Sequence, residues 1–232
     1  MLILIGLAAG ACTFAGAATL MLKRNWKHRE LAFFLGLASG VMISVVIFDL
    51  LPSALVAYEG RGGLTGVALG VIITWLISRF MQATEETSTA RSLGYLIMLA
   101  IALHDLPEGM AIALGGELKE RTAMVIALAI GIHNIPEGMA IAAPLLMGGI
   151  KRSKILLQVA LLGFITPLGT LIGTITVRAC PASLPLFLGF ASGVMLTLVV
   201  RDLWPQARNR SRCLALIGGL IGVVIIMLAT FI

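Results

Sequence analysis

Long apolar stretches, separated by short polar and basic connections, recur along the whole chain of 232 residues. Each stretch holds about 20 residues, which is the length that a helix needs to cross a hydrocarbon layer about 30 Å thick. No stretch resembles a separate soluble domain, so we treat residues 1–232 as a single transmembrane domain. We predict an all-α, polytopic membrane protein with spanning helices at 2–22, 31–51, 64–81, 93–114, 123–147, 155–177, 184–204 and 213–232.

The composition excludes the other broad classes of protein. Hydrophobic residues make up 59% of the chain and charged residues 12%, with a mean hydropathy of +1.04. A soluble domain carries about 25% charged residues, so a soluble globule and a disordered chain are both excluded. The three cysteines form no CxxC pair, and an odd number cannot all pair within one chain.

The basic residues indicate a membrane topology rather than a nucleic-acid partner. The net charge is +6, but lysine and arginine cluster in the short connections between the apolar stretches, where they set the orientation of a membrane protein. An outside N-terminus places 13 of the 17 basic residues on the inner side and leaves Arg61, Lys119, Arg121 and Arg178 outside. We therefore predict a multi-pass protein of the plasma (inner) membrane with both termini outside.

Two pairs of segments are internal repeats. Residues 34–54 (FLGLASGVMISVVIFDLLPSA) align without gaps on residues 187–207 (FLGFASGVMLTLVVRDLWPQA), with 13 of 21 positions identical. Residues 101–114 (IALHDLPEGMAIAL) align on residues 130–143 (IGIHNIPEGMAIAA), with 9 of 14 identical. Members of each pair lie an odd number of spans apart and cross the membrane in opposite directions. Inverted repeats with a site near the bilayer midplane are typical of secondary transporters.

The second repeat carries the candidate chemistry. His104 and Glu108 are four residues apart, as are His133 and Glu137, so each pair lies on one helix face. Ionisable groups near the middle of a span cost several kcal/mol unless they have a partner or a wet cavity, so they indicate a functional site. With the residue that follows each histidine, the candidate metal ligands are His104, Asp105, Glu108, His133, Asn134 and Glu137.

Prolines add backbone ligands to this set. Pro107 and Pro136 have no N–H group, so the carbonyls of Leu103 and Ile132 lose their helical partners next to the histidines. Imidazole, carboxylate, amide and carbonyl groups together suit Zn²⁺, Fe²⁺, Mn²⁺ or Co²⁺. Ligand type gives an order of preference among these ions and does not select one.

Three alternatives compete with a metal transporter. The polar residues could form a buried hydrogen-bond cluster, with each histidine bonded to the glutamate of the other helix. An intramembrane metalloprotease would need HExxH on one helix, and that string is absent. A proton-coupled carrier of a small organic solute could use the same acids and repeats, but it has no need of two His-xxx-Glu pairs.

The motifs HDLPEGMAIA and HNIPEGMAIA resemble the paired motifs of the ZIP (Zrt/Irt-like) metal transporters, especially their prokaryotic branch. The resemblance covers essentially the whole chain. It implies uptake of divalent transition metals, Zn²⁺ first and also Fe²⁺, Mn²⁺, Co²⁺ or Cd²⁺, through a 3+2+3 helix arrangement, often as a homodimer. It implies no enzymatic activity and no prosthetic group. It maps a first metal to His104, Glu108, His133 and Glu137, and a second to Asp105, Asn134 and the two bridging glutamates.

The chain departs from the family pattern at two positions. The family usually places a glutamate before Pro-Leu-Gly in the sixth span, where this chain has Thr166, and an asparagine at the position of Asp105. We hypothesise that Asp105 supplies the carboxylate that position 166 lacks. The rival hypothesis is that the second site is lost and Asp105 faces water as a bystander.

Three further residues carry weaker expectations. Asp49 and its repeat mate Asp202 fall near the ends of the second and seventh predicted spans. They could attract cations at the two mouths of a path, or they could be ordinary interfacial acids, Asp202 pairing with a neighbouring arginine. Met42 could supply a soft sulfur ligand, although methionine more often fills space in a core.

Overall fold

A computed structural model of the chain describes residues 1–23, 26–56, 62–84 and 90–231. Eight helices in these ranges are long and apolar enough to cross a membrane, so the predicted fold class is confirmed. The described residues contain no strand. Arg24 and Arg61, which entered the topology count, lie outside the described residues. The helices are α1 (Leu2–Leu20), α2 (His28–Val45, Val46–Leu50 and Leu51–Val56), α3 (Gly63–Thr84), α4 (Ala90–Leu118), α5 (Glu120–Met147), α6 (Arg152–Leu162 and Ile165–Ala179), α7 (Leu184–Leu198, Val199–Leu203 and Trp204–Arg210) and α8 (Arg212–Phe231).

Two helices are longer and less regular than predicted. The predicted spans 31–51 and 184–204 stop short, because α2 continues to Val56 and α7 to Arg210. Each of these helices changes to π-helical hydrogen bonding in its second half, over Val46–Leu50 and Val199–Leu203. These two segments align with each other in the internal repeat. Single π-helical turns inside α-helices occur frequently at functional sites.

The helices pack as two groups of four that reproduce the inverted repeat. In the first group, α1 packs on α5 and α6 packs on α4, and the repeat makes these two pairs equivalent. The helices α4 and α5 also pack on each other. In the second group α2 packs on α8 as α7 packs on α3. The two groups meet where α5 contacts α2 and α4 contacts α7, which again are equivalent pairs. The repeat therefore extends beyond the four helices in which sequence identity reveals it.

Glycines show how closely equivalent helices approach. A Cβ atom added to Gly138 on α5 would collide with the carbonyl oxygen of Thr13 on α1. A Cβ atom added to Gly109 on α4 would collide with the carbonyl oxygen of Thr166 on α6. Each glycine directly follows a motif glutamate, so this backbone contact fixes the height of that glutamate against its neighbouring helix.

Candidate metal centre

All six predicted ligands lie buried where α4 packs against α5. His104, Asp105, Asn134 and Glu137 are 0% exposed, Glu108 is 1% exposed and His133 is 3% exposed. Pro107 and Pro136 lie inside continuous helices, between the histidine and the glutamate of each motif. The structure therefore brings both copies of the motif to one place.

The histidines bond across the two helices rather than along one helix. The Nε2 atom of His104 lies 3.3 Å and 3.4 Å from the two carboxylate oxygens of Glu137. The Nε2 atom of His133 lies 3.0 Å from Oε2 of Glu108. The four-residue spacing predicts that His and Glu of one helix share a face, but each histidine finds its hydrogen-bond partner on the other helix.

Asp105 joins one of these pairs. Its Oδ1 atom lies 3.6 Å from Nε2 of His104, and potential ligand atoms of His104, Asp105 and Glu137 all lie within 4.8 Å of one another. The expected second site groups Asp105 with Asn134 and the two glutamates; the structure places Asp105 near Glu137 and also near His104 of the expected first site. Asp105 is also fully buried, which does not fit the idea of a water-facing bystander.

Asn134 makes a bond to the backbone instead. Its Nδ2 atom donates to the carbonyl oxygen of Ala9 on α1, at 3.1 Å. The side-chain oxygen of Asn134 is buried and has no hydrogen-bond partner. The amide thus ties α5 to α1 while its oxygen stays available as a ligand.

Several buried polar atoms of the cluster lack a hydrogen-bond partner. They are Nδ1 of His104, both carboxylate oxygens of Asp105, Oε1 of Glu108 and Oδ1 of Asn134. Most buried side-chain polar atoms have a partner, because an unsatisfied one costs about 1–3 kcal/mol. A cluster that served only to hold helices together would satisfy these atoms. The surplus of lone pairs in one place is what a cation site provides.

A cavity of about 490 Å³ reaches this cluster from one side. Glu108 and His133 lie at its inner end, and Asp49 and Ser53 of α2 line its wall. Its remaining lining residues lie in the C-terminal parts of α2 and α4 and the N-terminal parts of α5 and α7. Because consecutive spanning helices run in opposite directions, these four ends share one membrane face. The cavity leads from that face to the buried cluster.

Asp49 therefore lies deeper than predicted. It falls within the π-helical segment of α2, because the helix extends to Val56, and its side chain is exposed to the cavity. Asp202, its repeat mate on α7, is 3% exposed and accepts a hydrogen bond from Ser78 of α3 at 3.1 Å. The two acids have equivalent places in the chain and different surroundings.

Two other expectations concern residues around the cluster. Met42 and its repeat mate Met195 are 0% exposed and belong to the hydrophobic core, so they fill space there as methionine usually does. Thr166 is 0% exposed and its hydroxyl has no hydrogen-bond partner. Thr13, its repeat mate, is buried in the same way. Sequence reasoning did not single out Thr13, whose equivalence becomes visible through the matching glycine contacts.

Comparison with known proteins adds an independent observation. A family model described as "ZIP Zinc transporter" matches residues 81–230. The zinc transporter ZupT of Escherichia fergusonii is 33% identical over 89% of this chain and 86% of its own length. The ZupT proteins of Corynebacterium efficiens and Chlorobium luteolum are each 31% identical, over 95% and 97% of this chain and 92% and 94% of their own lengths. The match to the family model covers both His-x-x-Pro-Glu-Gly motifs.

Proposed function

This chain belongs to the ZIP zinc transporter family, and we propose that it carries divalent transition-metal ions, zinc foremost, across the plasma membrane into the cytoplasm. The observation that carries the proposal is the buried cluster of imidazole and carboxylate groups with unsatisfied lone pairs at the end of a cavity. Relatives named as zinc transporters support the cargo.

The spacing of the donor atoms suits a transition metal. Two ligands that bind a tetrahedral zinc ion, each at about 2.0–2.1 Å from the metal, lie about 3.3 Å apart. His104 and Glu137 have this separation, at 3.3 Å, and Asp105 lies 3.6 Å from the same imidazole nitrogen. We propose that these three groups bind the cargo and that His133 and Glu108 complete the site. Small side-chain movements would let the metal ion lie between a histidine and a glutamate. The hydrogen bond between the two groups is then replaced by one bond from each group to the metal.

The buried charges support the same proposal. Three carboxylates, Asp105, Glu108 and Glu137, lie near the middle of the membrane-spanning helices, where uncompensated charge is expensive. A divalent cation balances two of these charges directly. An organic solute would need apolar contact area as well as charge, whereas this cluster offers closely spaced donor atoms.

We propose that the cavity lined by Asp49 is the route by which the ion reaches the site. The cavity ends at Glu108 and His133, so these two groups meet the cargo first and His104 and Glu137 lie beyond them. Release on the opposite face requires the two groups of four helices to move relative to one another. Inverted repeats support such alternating access, because each half can adopt the conformation of the other.

The direct test is zinc uptake into proteoliposomes that contain a zinc-sensitive dye. We expect Glu137→Gln and Glu108→Gln each to lower the initial rate of uptake at least about tenfold. A glutamate binds metal as a deprotonated carboxylate, whereas the amide of glutamine binds zinc poorly. Glu120→Gln is the matched control, since Glu120 is exposed in the first turn of α5. Competition with Fe²⁺, Mn²⁺, Co²⁺ and Cd²⁺ then ranks the cargo.

The same variants separate transport from a purely structural role. Glutamine still hydrogen-bonds to a histidine, so a structural cluster would tolerate these substitutions. Zinc should raise the thermal midpoint of the detergent-solubilised wild-type protein by mass action, and this rise should disappear in both Gln variants. Normal uptake and an unchanged zinc-dependent rise in either variant would contradict the proposed site.

A further inference from the structure

A second group of charged residues lies outside the metal centre, where α3 packs on α7. Trp75 and Arg79 are one helical turn apart on α3, and Arg201 lies in the π-helical segment of α7. Arg201 donates to the carbonyl oxygen of Trp75 at 3.1 Å, and its Cζ atom lies 5.6 Å from the centre of the Trp75 ring. The Cζ atom of Arg79 lies 5.3 Å from the same ring. We call Trp75, Arg79 and Arg201 the Arg–Trp–Arg patch.

The patch faces outward, and the carboxylate of Asp202, next to Arg201 in the chain, is buried and attracts Arg201 electrostatically. Trp75 is 43% exposed, and its neighbours on the outer face of the helices are also exposed, Ile72 by 53% and Val200 by 67%. Neither arginine makes an ion pair with any carboxylate in the part of the chain that the structure describes. A guanidinium group on a lipid-facing surface is unfavourable unless it reaches water or an anion. An anion at this depth would therefore stabilise both guanidinium groups.

The position along α3 places the patch at the membrane interface. The predicted span of α3 covers residues 64–81 and the helix ends at Thr84, so Arg79 lies near the end of the span and Trp75 lies one turn further inside. Tryptophan is enriched at the depth of the lipid headgroups, and arginine side chains extend from this depth towards the headgroup region. A phosphate at the headgroup level is therefore within reach of both arginines.

The inverted repeat shows that the fold itself does not require these charges. Gly66 of α3 contacts the carbonyl of Leu186 as Gly218 of α8 contacts the carbonyl of Phe33. Leu186 and Phe33 are repeat mates, so this pair of contacts aligns α3 with α8. At the equivalent place in the opposite leaflet, the residues that correspond to Arg201, Trp75 and Arg79 are Phe48, Met227 and Phe231. The equivalent positions of the other half are thus apolar in the sequence.

We propose that the Arg–Trp–Arg patch binds the phosphate of an anionic phospholipid headgroup. Guanidinium groups match phosphate with paired hydrogen bonds, and the indole ring keeps the two arginines near one another. The predicted topology places this end of α3 and α7 at the inner leaflet, whose anionic lipids attract basic residues. The lipid would be held against the second group of helices, α2, α3, α7 and α8, outside the metal path.

Fluorescence of Trp75 tests this binding directly. The chain has three tryptophans, so Trp26→Phe with Trp204→Phe leaves Trp75 as the only reporter. The protein is reconstituted in phosphatidylcholine vesicles in which a minor fraction of lipid carries brominated acyl chains, either as phosphatidylglycerol or as phosphatidylcholine. We expect brominated phosphatidylglycerol to quench the fluorescence of Trp75 at a lower fraction of brominated lipid than brominated phosphatidylcholine does. Arg79→Gln and Arg201→Gln should each reduce this preference about fivefold.

Matched variants separate a bound lipid from general surface charge. Arg208→Gln and Arg212→Gln, each made alone, remove the same single charge from the same predicted membrane face, and both should leave the preference intact. Arg79→Lys with Arg201→Lys keeps the charge and should retain part of the preference. Inorganic phosphate, compared with chloride at equal ionic strength, should not displace the lipid. Equal quenching by both brominated lipids, equal loss in either control variant, or displacement by free phosphate would overturn the proposal.

Discussion

Asn134 donates from its side-chain amide to the carbonyl oxygen of Ala9, whereas Asp105, its repeat mate on α4, makes no such bond to a neighbouring helix. Both side chains are 0% exposed. The carboxylate oxygens of Asp105 have no hydrogen-bond partner. One half of the repeat therefore uses the amide of Asn134 to join two helices, whereas the other half has the buried carboxyl group of Asp105 at the equivalent place. This exchange gives up a helix contact and places an acidic group beside His104.

We predict that Asp105→Asn weakens metal binding without destabilising the metal-free protein. The asparagine can donate to a backbone carbonyl of α6 as Asn134 does to α1, and such bonds contribute about 0.6 kcal/mol in membranes. The thermal midpoint without metal should stay equal or rise slightly. The zinc-dependent rise in midpoint, and zinc uptake, should fall sharply. Unchanged uptake with one metal bound per chain would show that Asp105 is no ligand.

Thr166→Glu provides the complementary test of the same hypothesis. Thr166 is buried, and its hydroxyl has no partner, while its backbone contacts Gly109 next to Glu108. Added to Asp105→Asn, Thr166→Glu should partly restore uptake, because it returns a carboxylate to the centre from α6. Thr166→Gln in the same background is the control of equal size and should restore nothing. Equal behaviour of the Glu and Gln variants would remove charge as the explanation.

We predict that Asp49→Asn slows uptake chiefly at low zinc concentration. Asp49 lines the cavity that ends at Glu108 and His133, and a carboxylate in a low-dielectric cleft raises the local concentration of cations. The half-saturating zinc concentration should rise about tenfold at low ionic strength, with less change in high salt. The maximal rate should change little. Ser53→Ala, in the same cavity wall, is the neutral control, and an equal effect of both variants would contradict an electrostatic role.

The fold follows from the sequence because the membrane imposes one strong rule. Backbone polar groups must be satisfied within each span, so a run of about 20 apolar residues predicts a helix with little ambiguity. The same rule is insensitive to how the hydrogen bonds run inside that helix. The π-helical turns at Val46–Leu50 and Val199–Leu203 carry no distinct composition, so the sequence does not predict them. The predicted span 31–51 places Asp49 near a helix end, because the sequence does not show that α2 continues to Val56.

The site residues follow from the sequence, but their partners do not. His104 and Glu108 stand out because charged residues are costly inside a span. Spacing along one helix shows which side chains share a face and says nothing about the rotation of one helix against the next. The pairing of His104 with Glu137 depends on that rotation. Backbone contacts of glycines, such as the one between Gly138 and Thr13, restrict how α5 can rotate against α1 and so help to orient Glu137.

We predict that Gly138→Ala impairs both stability and transport. The added methyl group would collide with the carbonyl oxygen of Thr13, which is a backbone atom and cannot rotate away. Overpacking of this kind costs about 1–3 kcal/mol, and α5 must shift away from α1, which moves Glu137. Gly131→Ala on the same helix is the control, because its methyl group would come closest to the side-chain thiol of Cys12, at 3.1 Å, and to backbone atoms only at an ordinary contact distance of 3.8 Å. We expect a lower thermal midpoint and slower zinc uptake for Gly138→Ala, and comparable effects of the two variants would contradict this account.

The last prediction concerns orientation, and native cysteines provide the reporters. Cys180, between α6 and α7, and Cys213, at the start of α8, are both exposed, and the helix α7 between them places them on opposite membrane faces. The excess of basic residues predicts that Cys213 lies inside, because it follows Arg208, Arg210 and Arg212, and that Cys180 lies outside. In whole cells, a membrane-impermeant maleimide should label a Cys12→Ser, Cys213→Ser variant and leave a Cys12→Ser, Cys180→Ser variant unlabelled until the cells are opened. The reverse pattern would invert the topology and turn the cavity beside Asp49 towards the cytoplasm. The proposed direction of uptake would then require the ion to leave, rather than reach, the centre past Glu108 and His133.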